Sequence, residues 1–378
     1  MDKETLRKRI RRNRRITLLQ NCIKVAVCVG AAVVLVSVGW TIAKPFVRQS
    51  EWSAGTAAGN IVEVQADVLD PENADGSGQA GQAALGEDMI VQYDTPGWQL
   101  NDNGWWYAVD EATCYINGWM EIDGKQYHFD SSGYMDTGWT AIGGQGCYFD
   151  ESGVYDPDAD NSKMIALTFD DGPGEYTSRL LDILEANNAE ATFLMLGEQV
   201  EKYGADVIPR MAQMGCVIGN HSYDHPNLKQ AGAATAQDQF NRTDQAIARY
   251  NNGEGAEVIR FPYGEYTKEL AADTGRPCLF WDLDTRDWES KNADAVYDMV
   301  MNHVTGGNII LMHDIHSSTV DACERLIPDL QAQGYQLVAI DELAASRGYD
   351  LEAGVTYFGF TDEDIAADSV TDKDRAET

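Results

Sequence analysis

The stretch Ala166-Leu167-Thr168-Phe169-Asp170-Asp171-Gly172-Pro173 decides how this chain reads. The apolar run from Met164 to Phe169 has the length of a buried strand. It stops at two adjacent carboxylates, Asp170 and Asp171, and then at Gly172-Pro173, a strong turn signal. Acids at the carboxyl end of a buried strand stand where α/β folds gather their ligands. Taken alone, such a pair is more often a solvated loop than a site, so the flanking sequence has to decide.

Around it, residues 160–347 alternate β-like and helix-like segments. Strands are expected at Met164–Phe169, Ala191–Leu196, Val217–Gly219, Val258–Phe261, Leu279–Asp282, Ile309–His313 and Gln336–Ile340. Helical patterns fall between them at Thr177–Ala186, Gln199–Met214, Ala234–Tyr250, Thr267–Ala272, Ala293–His303 and Val320–Gln333. This rhythm predicts an α/β fold with a parallel sheet, closed or distorted into a (β/α) barrel, whose active site lies at the carboxyl ends of the strands.

The third of those ends carries Asn220-His221-Ser222-Tyr223-Asp224-His225. Two histidines four apart share one side of a helical turn, so both can face one ion. The competing reading for the pair is a polar surface loop. The chain has six histidines, which makes so close a pairing informative. With a carboxylate from the first strand the set becomes Asp-His-His, and three protein ligands with open positions form the pattern of a catalytic zinc-type site. One of Asp170 and Asp171 would bind metal, leaving the other to accept a proton from water. Such donors suit Zn²⁺ first, and Co²⁺, Mn²⁺ or Ni²⁺ as well.

Five stretches in order carry a specific resemblance. Thr168-Phe169-Asp170-Asp171-Gly172-Pro173, His221-Ser222-x-x-His225, Arg260-Phe261-Pro262-Tyr263-Gly264, Asp284-Thr285-Arg286-Asp287-Trp288 and Leu311-Met312-His313-Asp314 resemble the motifs of the polysaccharide deacetylases (the NodB-homology domain, carbohydrate esterase family four). The resemblance implies that Asp170 is the catalytic base and that Asp171, His221 and His225 hold the metal. It implies that Arg260 keeps Asp170 ionised, as an adjacent cation lowers a carboxylate's pKa. The Tyr263 backbone N–H would bind the oxyanion, and His313 would be the general acid, with Asp287 raising its pKa. Trp288 and Leu311 would line the acetyl pocket; both could equally be core residues. His303 and His316 lie outside the motifs and read as surface residues.

Upstream, Gly-Trp recurs at Gly97-Trp98, Gly118-Trp119 and Gly138-Trp139, with further aromatics and turn signals between. This predicts a small solenoid of β-hairpins over residues 94–158. The pattern resembles choline-binding and cell-wall-binding repeats, which implies wall-polymer ligands for Trp98, Trp106, Trp119, Tyr127 and Trp139, through cation–π contact with a choline-type ammonium or stacking on a sugar. Many of these rings must also serve as the solenoid's own core. Cys114 and Cys147 stand where the pattern expects an aromatic, and Gln126 where the first repeat has Trp106.

Residues 44–93 are acidic and nearly free of aromatic residues, and read as a flexible linker. Before them, Val25 to Ala43 is an uncharged apolar run long enough to span a bilayer, preceded by nine Lys or Arg in residues 1–24. That charge keeps the amino terminus cytoplasmic, so residues 25–43 are expected to be an uncleaved anchor with everything after them outside the cell. The chain's net charge of −33 is concentrated beyond the basic start, which argues against nucleic acid as a partner. Residues 348–378 are acidic and read as a disordered tail apart from Val355–Phe360.

The expectation that follows is a membrane-anchored, metal-dependent N-deacetylase acting on N-acetylglucosamine of peptidoglycan in a Gram-positive wall. Other acetylated glycans (chitin oligomers, N-acetylmuramate, acetylxylan) are alternative substrates, and a non-catalytic wall-binding surface protein is the alternative class.

Overall fold

The computed structural model describes residues 96–101, 103–109 and 114–372, together with the backbone of Ala80–Gly81. The expected basic segment 1–24, the apolar run 25–43 and most of the linker 44–93 lie outside the described residues. Among the described residues no helix is long and apolar enough to cross a membrane. The chain forms two compact units, divided near residue 159.

The first unit is built of antiparallel hairpins. Gly97–Asn101 pairs with Gly104–Ala108, Gly118–Ile122 pairs with Lys125–Phe129, and Gly138–Ile142 precedes Gln145–Phe149. The second and third reversals use pairs of residues with positive φ, Asp123-Gly124 and Gly143-Gly144, as tight hairpin turns require. The register corrects one equivalence. Trp98 lies opposite Tyr107 and Trp119 opposite His128, so Tyr127 answers Trp106 and Gln126 answers Trp105. Trp106 and Tyr127 are both buried. Tyr127 packs with Tyr115, Met120 and Phe129, and Trp106 with Ala108, Cys114 and Tyr134. These two rings are core, while Trp98, Trp119 and Trp139 stay partly exposed. Cys114 and Cys147 are buried free thiols.

The second unit is a parallel sheet wrapped by helices. Its elements run β1 (Met164–Asp170), α1 (Thr177–Ala186), β2 (Thr192–Met195), α2 (Gly197–Gln213), β3 (Val217–Asn220), α3 (Ala233–Ala248), β4 (Val258–Ile259), α4 (Lys268–Asp273), β5 (Cys278–Leu279), β6 (Leu283–Asp284) and α5 (Asp287–Ser290). After these come α6 (Ala293–His303), β7 (Ile309–His313), α7 (Ser317–Ala332), β8 (Gln336–Leu337), α8 (Ile340–Ser346), β9 (Thr356–Tyr357) and α9 (Asp362–Ala366). The ladder order is β6-β7-β1-β2-β3-β4-β5-β9, all parallel, with β8 joining the start of β1. Strand β6 is one end of the ladder and β5 is next to the other end, yet they are joined by Phe280-Trp281-Asp282 alone, so the sheet curls back toward itself as a distorted barrel does.

Every residue of β1 is buried, as its unbroken apolar run predicts for a central parallel strand. Leu167, Phe169, Phe193, Ile218, Ile310 and Met312 pack outward under the helices with Leu180, Leu184, Val200, Ile208, Val296 and Leu326. Burial of that many large side chains, at about 1.5–3 kcal/mol each, is the main force holding helices to sheet. On the other face stand Thr168, Asp170, Leu311 and His313, because side chains alternate along a strand.

Three expectations need correction. The strand expected over Gln336–Ile340 stops at Leu337. Ile340, Leu343 and Ala344 are buried at helical spacing, with Asp341 and Glu342 in the first turn of α8, where the helix dipole favours acids. The segment expected as Leu279–Asp282 splits into β5 and β6.

The tail expected to be disordered apart from Val355–Phe360 is ordered through residue 372, with β9 inside that excepted stretch and α9 beyond it. β9 pairs Thr356 with Cys278 and Tyr357 with Leu279, and the Phe360 N–H bonds the Gly307 carbonyl. Val355, Tyr357, Phe360 and Val370 are buried, and Thr361 and Asp364 form a capping box for α9. The low average hydropathy of the segment conceals four apolar side chains that meet the open end of the ladder.

Candidate active site

Asp170, the last residue of β1, lies in register with His313, the last of β7. Its side chain is buried and accepts a 2.7 Å hydrogen bond from Nη1 of Arg260, which also donates to Thr168 Oγ1 at 2.8 Å. The other guanidinium nitrogens donate to the carbonyls of Leu279 (3.3 Å) and Phe280 (2.7 Å). Arg260 has no solvent exposure, so its planar fork is held from β1 and from the β5–β6 connection together. Burial pushes the Asp170 carboxyl above the usual carboxylate range, while Arg260, His313 and His225 pull it back. The expectation that Arg260 lowers this pKa thus names one influence, and desolvation outweighs it.

Asp171 begins the turn after β1 with φ of 68°. Its Oδ1 is 3.6 Å from His221 Nε2 and 3.5 Å from His225 Nε2. One ligand atom from each of these three residues can be chosen so that all lie within 4.8 Å of one another. Asp171 Oδ1 is buried and has no hydrogen-bond partner. His221 Nδ1 lies 2.8 Å from the Arg260 carbonyl. A carbonyl only accepts, so Nδ1 carries the proton and Nε2 is left with its lone pair facing Asp171 Oδ1 and Asp170 Oδ2, each at 3.6 Å. Burial lowers the His221 pKa to about 3, with the charges of His225 and Arg260 adding to that and Asp171 and the bond to the Arg260 carbonyl opposing it, which keeps the imidazole neutral as a ligand must be. An orphaned carboxylate oxygen facing two imidazole nitrogens fits a divalent cation of the zinc type. The two histidines are not on a helical turn, as expected from their spacing. They belong to a loop in which Ser222 (φ 76°) and His225 (φ 62°) are left-handed, and that reversal brings the rings to 5.0 Å.

His313 Nδ1 is 2.8 Å from Asp287 Oδ1, and Asp287 also accepts from the His313 N–H and the Thr319 hydroxyl, both at 2.7 Å. Burial works against an imidazolium here. The Asp287 hydrogen bond and charge, joined by Asp170 and Asp171, prevail and push His313 up to about 9. Asp287 itself is lowered: burial raises it, and the bonds and charge from His313 and Thr319 more than offset that. A carboxylate that fixes one ring nitrogen and holds the ring protonated is the arrangement a general acid needs.

Leu311 is buried on the same face of β7 as His313. Trp288 is 47% exposed and Tyr263 64% exposed, so neither ring is core. Tyr263 is left-handed (φ 62°), its ring meets His225 edge-on at 4.4 Å, and its hydroxyl donates to the His225 carbonyl at 3.3 Å. His316, expected at the surface, is half-buried with its ring 6.1 Å from His313. His303 is exposed, as expected.

Sequence reasoning passed over Asp314 and Thr177. Asp314 is buried and accepts from the Thr177 hydroxyl, which in turn accepts from the Gly174 N–H at 2.7 Å. Burial pushes Asp314 up to about 7. Its position beside His313 was the available signal. Thr177, 137 residues away, had none.

Residues 158–276 match the family model described as Polysaccharide deacetylase, and residues 116–154 match Choline-binding repeat. The chain is 38% identical over 207 residues to the peptidoglycan-N-acetylglucosamine deacetylase PgdA of Listeria monocytogenes, covering 54% of this chain and 43% of that protein. It is 39% identical over 184 residues to the peptidoglycan-N-acetylmuramic acid deacetylase PdaC of Bacillus subtilis, covering 48% of this chain and 39% of that one. A peptidoglycan-N-acetylglucosamine deacetylase of Bacillus cereus is 35% identical over 191 residues, covering 48% of this chain and 69% of the relative. Among solved structures, that of PdaC from Bacillus subtilis is 38% identical with a TM-score of 0.47, covering 49% of this chain and 92% of that chain. The chain thus spans about two fifths of the Listeria and B. subtilis relatives and over two thirds of the B. cereus one. With Asp170, the Asp171–His221–His225 donor set and His313 gathered at the strand ends, and with this identity across most of the B. cereus protein, the chain belongs to the polysaccharide deacetylase family.

Proposed function

We propose that this chain removes N-acetyl groups from N-acetylglucosamine in peptidoglycan, with one divalent metal, Zn²⁺ by its donor set, held by Asp171, His221 and His225. The observation that carries the metal reading is the buried Asp171 Oδ1, which has no hydrogen-bond partner and faces two imidazole nitrogens. Two relatives named as peptidoglycan-N-acetylglucosamine deacetylases support the substrate.

A divalent ion at this site supplies Lewis-acid polarisation and acidifies water. The chain's own residues then divide the proton work. Asp170 accepts the proton of the attacking water, and Arg260 fixes the carboxylate's orientation while leaving Oδ2 free of that bond. The Tyr263 N–H stabilises the negative charge that develops on the carbonyl oxygen. An amine leaves only when protonated, and His313, held charged by Asp287, delivers that proton. Leu311 and Trp288 border the space for the acetyl methyl. Products are acetate and a free amino sugar.

Residues 25–43 are proposed as the membrane anchor and 44–93 as the spacer, which places the catalytic unit outside the cell. The repeats are proposed to hold wall polymer through Trp98, Trp119 and Trp139, supported by their partial exposure and by the choline-binding repeat match.

The test is acetate release from purified peptidoglycan with and without a chelator, followed by digestion and mass spectrometry of the sugars. Acetyl loss from N-acetylglucosamine is expected. Loss from N-acetylmuramate instead would give this chain the substrate in the PdaC name. No acetate from any acetylated glycan with metal supplied would leave a wall-binding protein as the reading.

A further inference from the structure

We infer that Gln239 is a positioning residue for the metal-binding loop, resting on the metal reading above. The loop from His221 to His225 follows β3 with two non-glycine residues in the left-handed region. Such a conformation costs of order 1–3 kcal/mol per residue and persists only where the surroundings over-determine it. Its backbone groups show what does so. The Ser222 N–H is held by Asn220 Oδ1 at 2.9 Å, and the His225 N–H by Ser222 Oγ at 3.1 Å. The carbonyls of Ser222 and Tyr223 accept from the Gly197 and Glu198 N–H groups at the start of α2, each at 3.0 Å.

The two amides at the centre of the loop go to one side chain. Gln239 Oε1 accepts from the Tyr223 N–H at 2.7 Å and the Asp224 N–H at 3.1 Å, while its Nε2 donates to Asp224 Oδ1 at 2.8 Å. Two donors on one side and a carboxylate on the other fix which end of the amide is oxygen. Gln239 is buried on α3, and these side-chain hydrogen bonds go to Tyr223 and Asp224 and not to the proposed ligands. It acts through the backbone between His221 and His225, and so sets where both rings point. Removing the amide takes the shared acceptor from two part-buried loop N–H groups. The strained loop then relaxes, and His225 moves off the line to Asp171.

The full-length, metal-stripped protein is titrated with Zn²⁺ against a chromogenic chelator, and with Co²⁺ by visible absorption of the bound ion. Urea unfolding of the metal-free protein is followed alongside. Gln239→Leu is expected to weaken Zn²⁺ binding by roughly tenfold or more and to alter the Co²⁺ spectrum. Gln239→Glu keeps the acceptor but sets a carboxylate against Asp224, and it too weakens binding. Adding Asp224→Asn restores a donor–acceptor pair and returns the affinity to within about threefold of wild type. Should Gln239→Leu fail to fold, the comparison of Gln239→Glu with and without Asp224→Asn decides. Folded variants whose metal affinity stays within about twofold of wild type, with only the urea midpoint lowered, would make Gln239 purely structural and overturn the inference. Wild-type protein that binds neither ion would instead remove the metal reading itself.

Discussion

Arg260 and Asp170 form an ion pair at 2.7 Å, the first fully and the second almost fully buried, while the neighbouring Asp171 alone lies against His225. Adjacent carboxylates therefore have different surroundings, which supports the different work proposed for them. Asp170→Asn keeps the shape and the donor set, so it should retain metal, measured by titration, while turnover falls by about 10²–10⁴-fold. Near-normal acetate release from this variant would remove Asp170 from the base role.

In the proposed mechanism the His313–Asp287 pair sets the alkaline limit. A general acid works only while protonated, and His313 is raised to about 9, so kcat/KM should hold until the pH approaches that value and then fall. The same sign applies to stability: a histidine raised on folding contributes below its unfolded pKa and loses that contribution as pH rises through about 9. Asp287→Asn removes the charge and leaves at most a neutral amide oxygen at Nδ1, so only the charges of Asp170 and Asp171 then oppose burial. Its alkaline limb should shift down by at least about one pH unit, read from the pH–rate profile.

Metal removal has a reading apart from activity. A cation that binds only the folded chain stabilises it, by about 2.7 kcal/mol at a hundredfold excess over its Kd. Chelation should therefore lower Tm and abolish acetate release together, and Zn²⁺ should restore both. His225→Ala should need far more metal for the same Tm gain, whereas an unchanged Tm response in that variant would exclude His225 as a ligand.

The carboxy-terminal segment makes a stability prediction. Phe360 has no solvent exposure and lies against Tyr349 and Tyr357. Phe360→Ala should cost about 3–5 kcal/mol in denaturant unfolding of the catalytic unit. A loss under about 1 kcal/mol would mean that the segment is dispensable to the fold.

In the repeats, core rings and presented rings should separate by phenotype. Tyr127→Ala should unfold the hairpins, seen as loss of near-ultraviolet circular dichroism. Trp139→Ala should leave the fold intact and reduce retention on purified cell walls. Equal retention for wild type and Trp139→Ala would remove that ring from the binding surface.

Much of the barrel was legible because its signals are local. The apolar run Met164 to Phe169 has few readings other than a buried strand, and α1 and α6 begin and end where their apolar periodicity does. Less legible were the two-residue strands. β4, β5 and β9 are each held by one or two ladder pairs to neighbours far along the chain, and so short a segment carries no period of its own. The order of the tail outside Val355–Phe360 was missed for the same reason, since that apolar stretch finds its place only beside β5. In the repeats, burial of Trp106 and Tyr127 depended on hairpin register, which the spacing of Gly-Trp pairs does not specify.

The sequence by itself determined the chemistry available: two acids at a strand end, a close histidine pair, one arginine, and a histidine–acid pair further on, in an order that matches one family. Tertiary structure decided which surroundings each acid has. Asp170 and Asp171 are chemically identical neighbours, both 3.6 Å from His221 Nε2, and only side-chain alternation and the left-handed turn after β1 send one to Arg260 and the other to His225. It also decided how two histidines four apart converge, through a strained loop held from Asn220, α2 and Gln239 and not through a helical turn. Those partners come from separate parts of the chain, and contacts of that kind have no signature in local sequence.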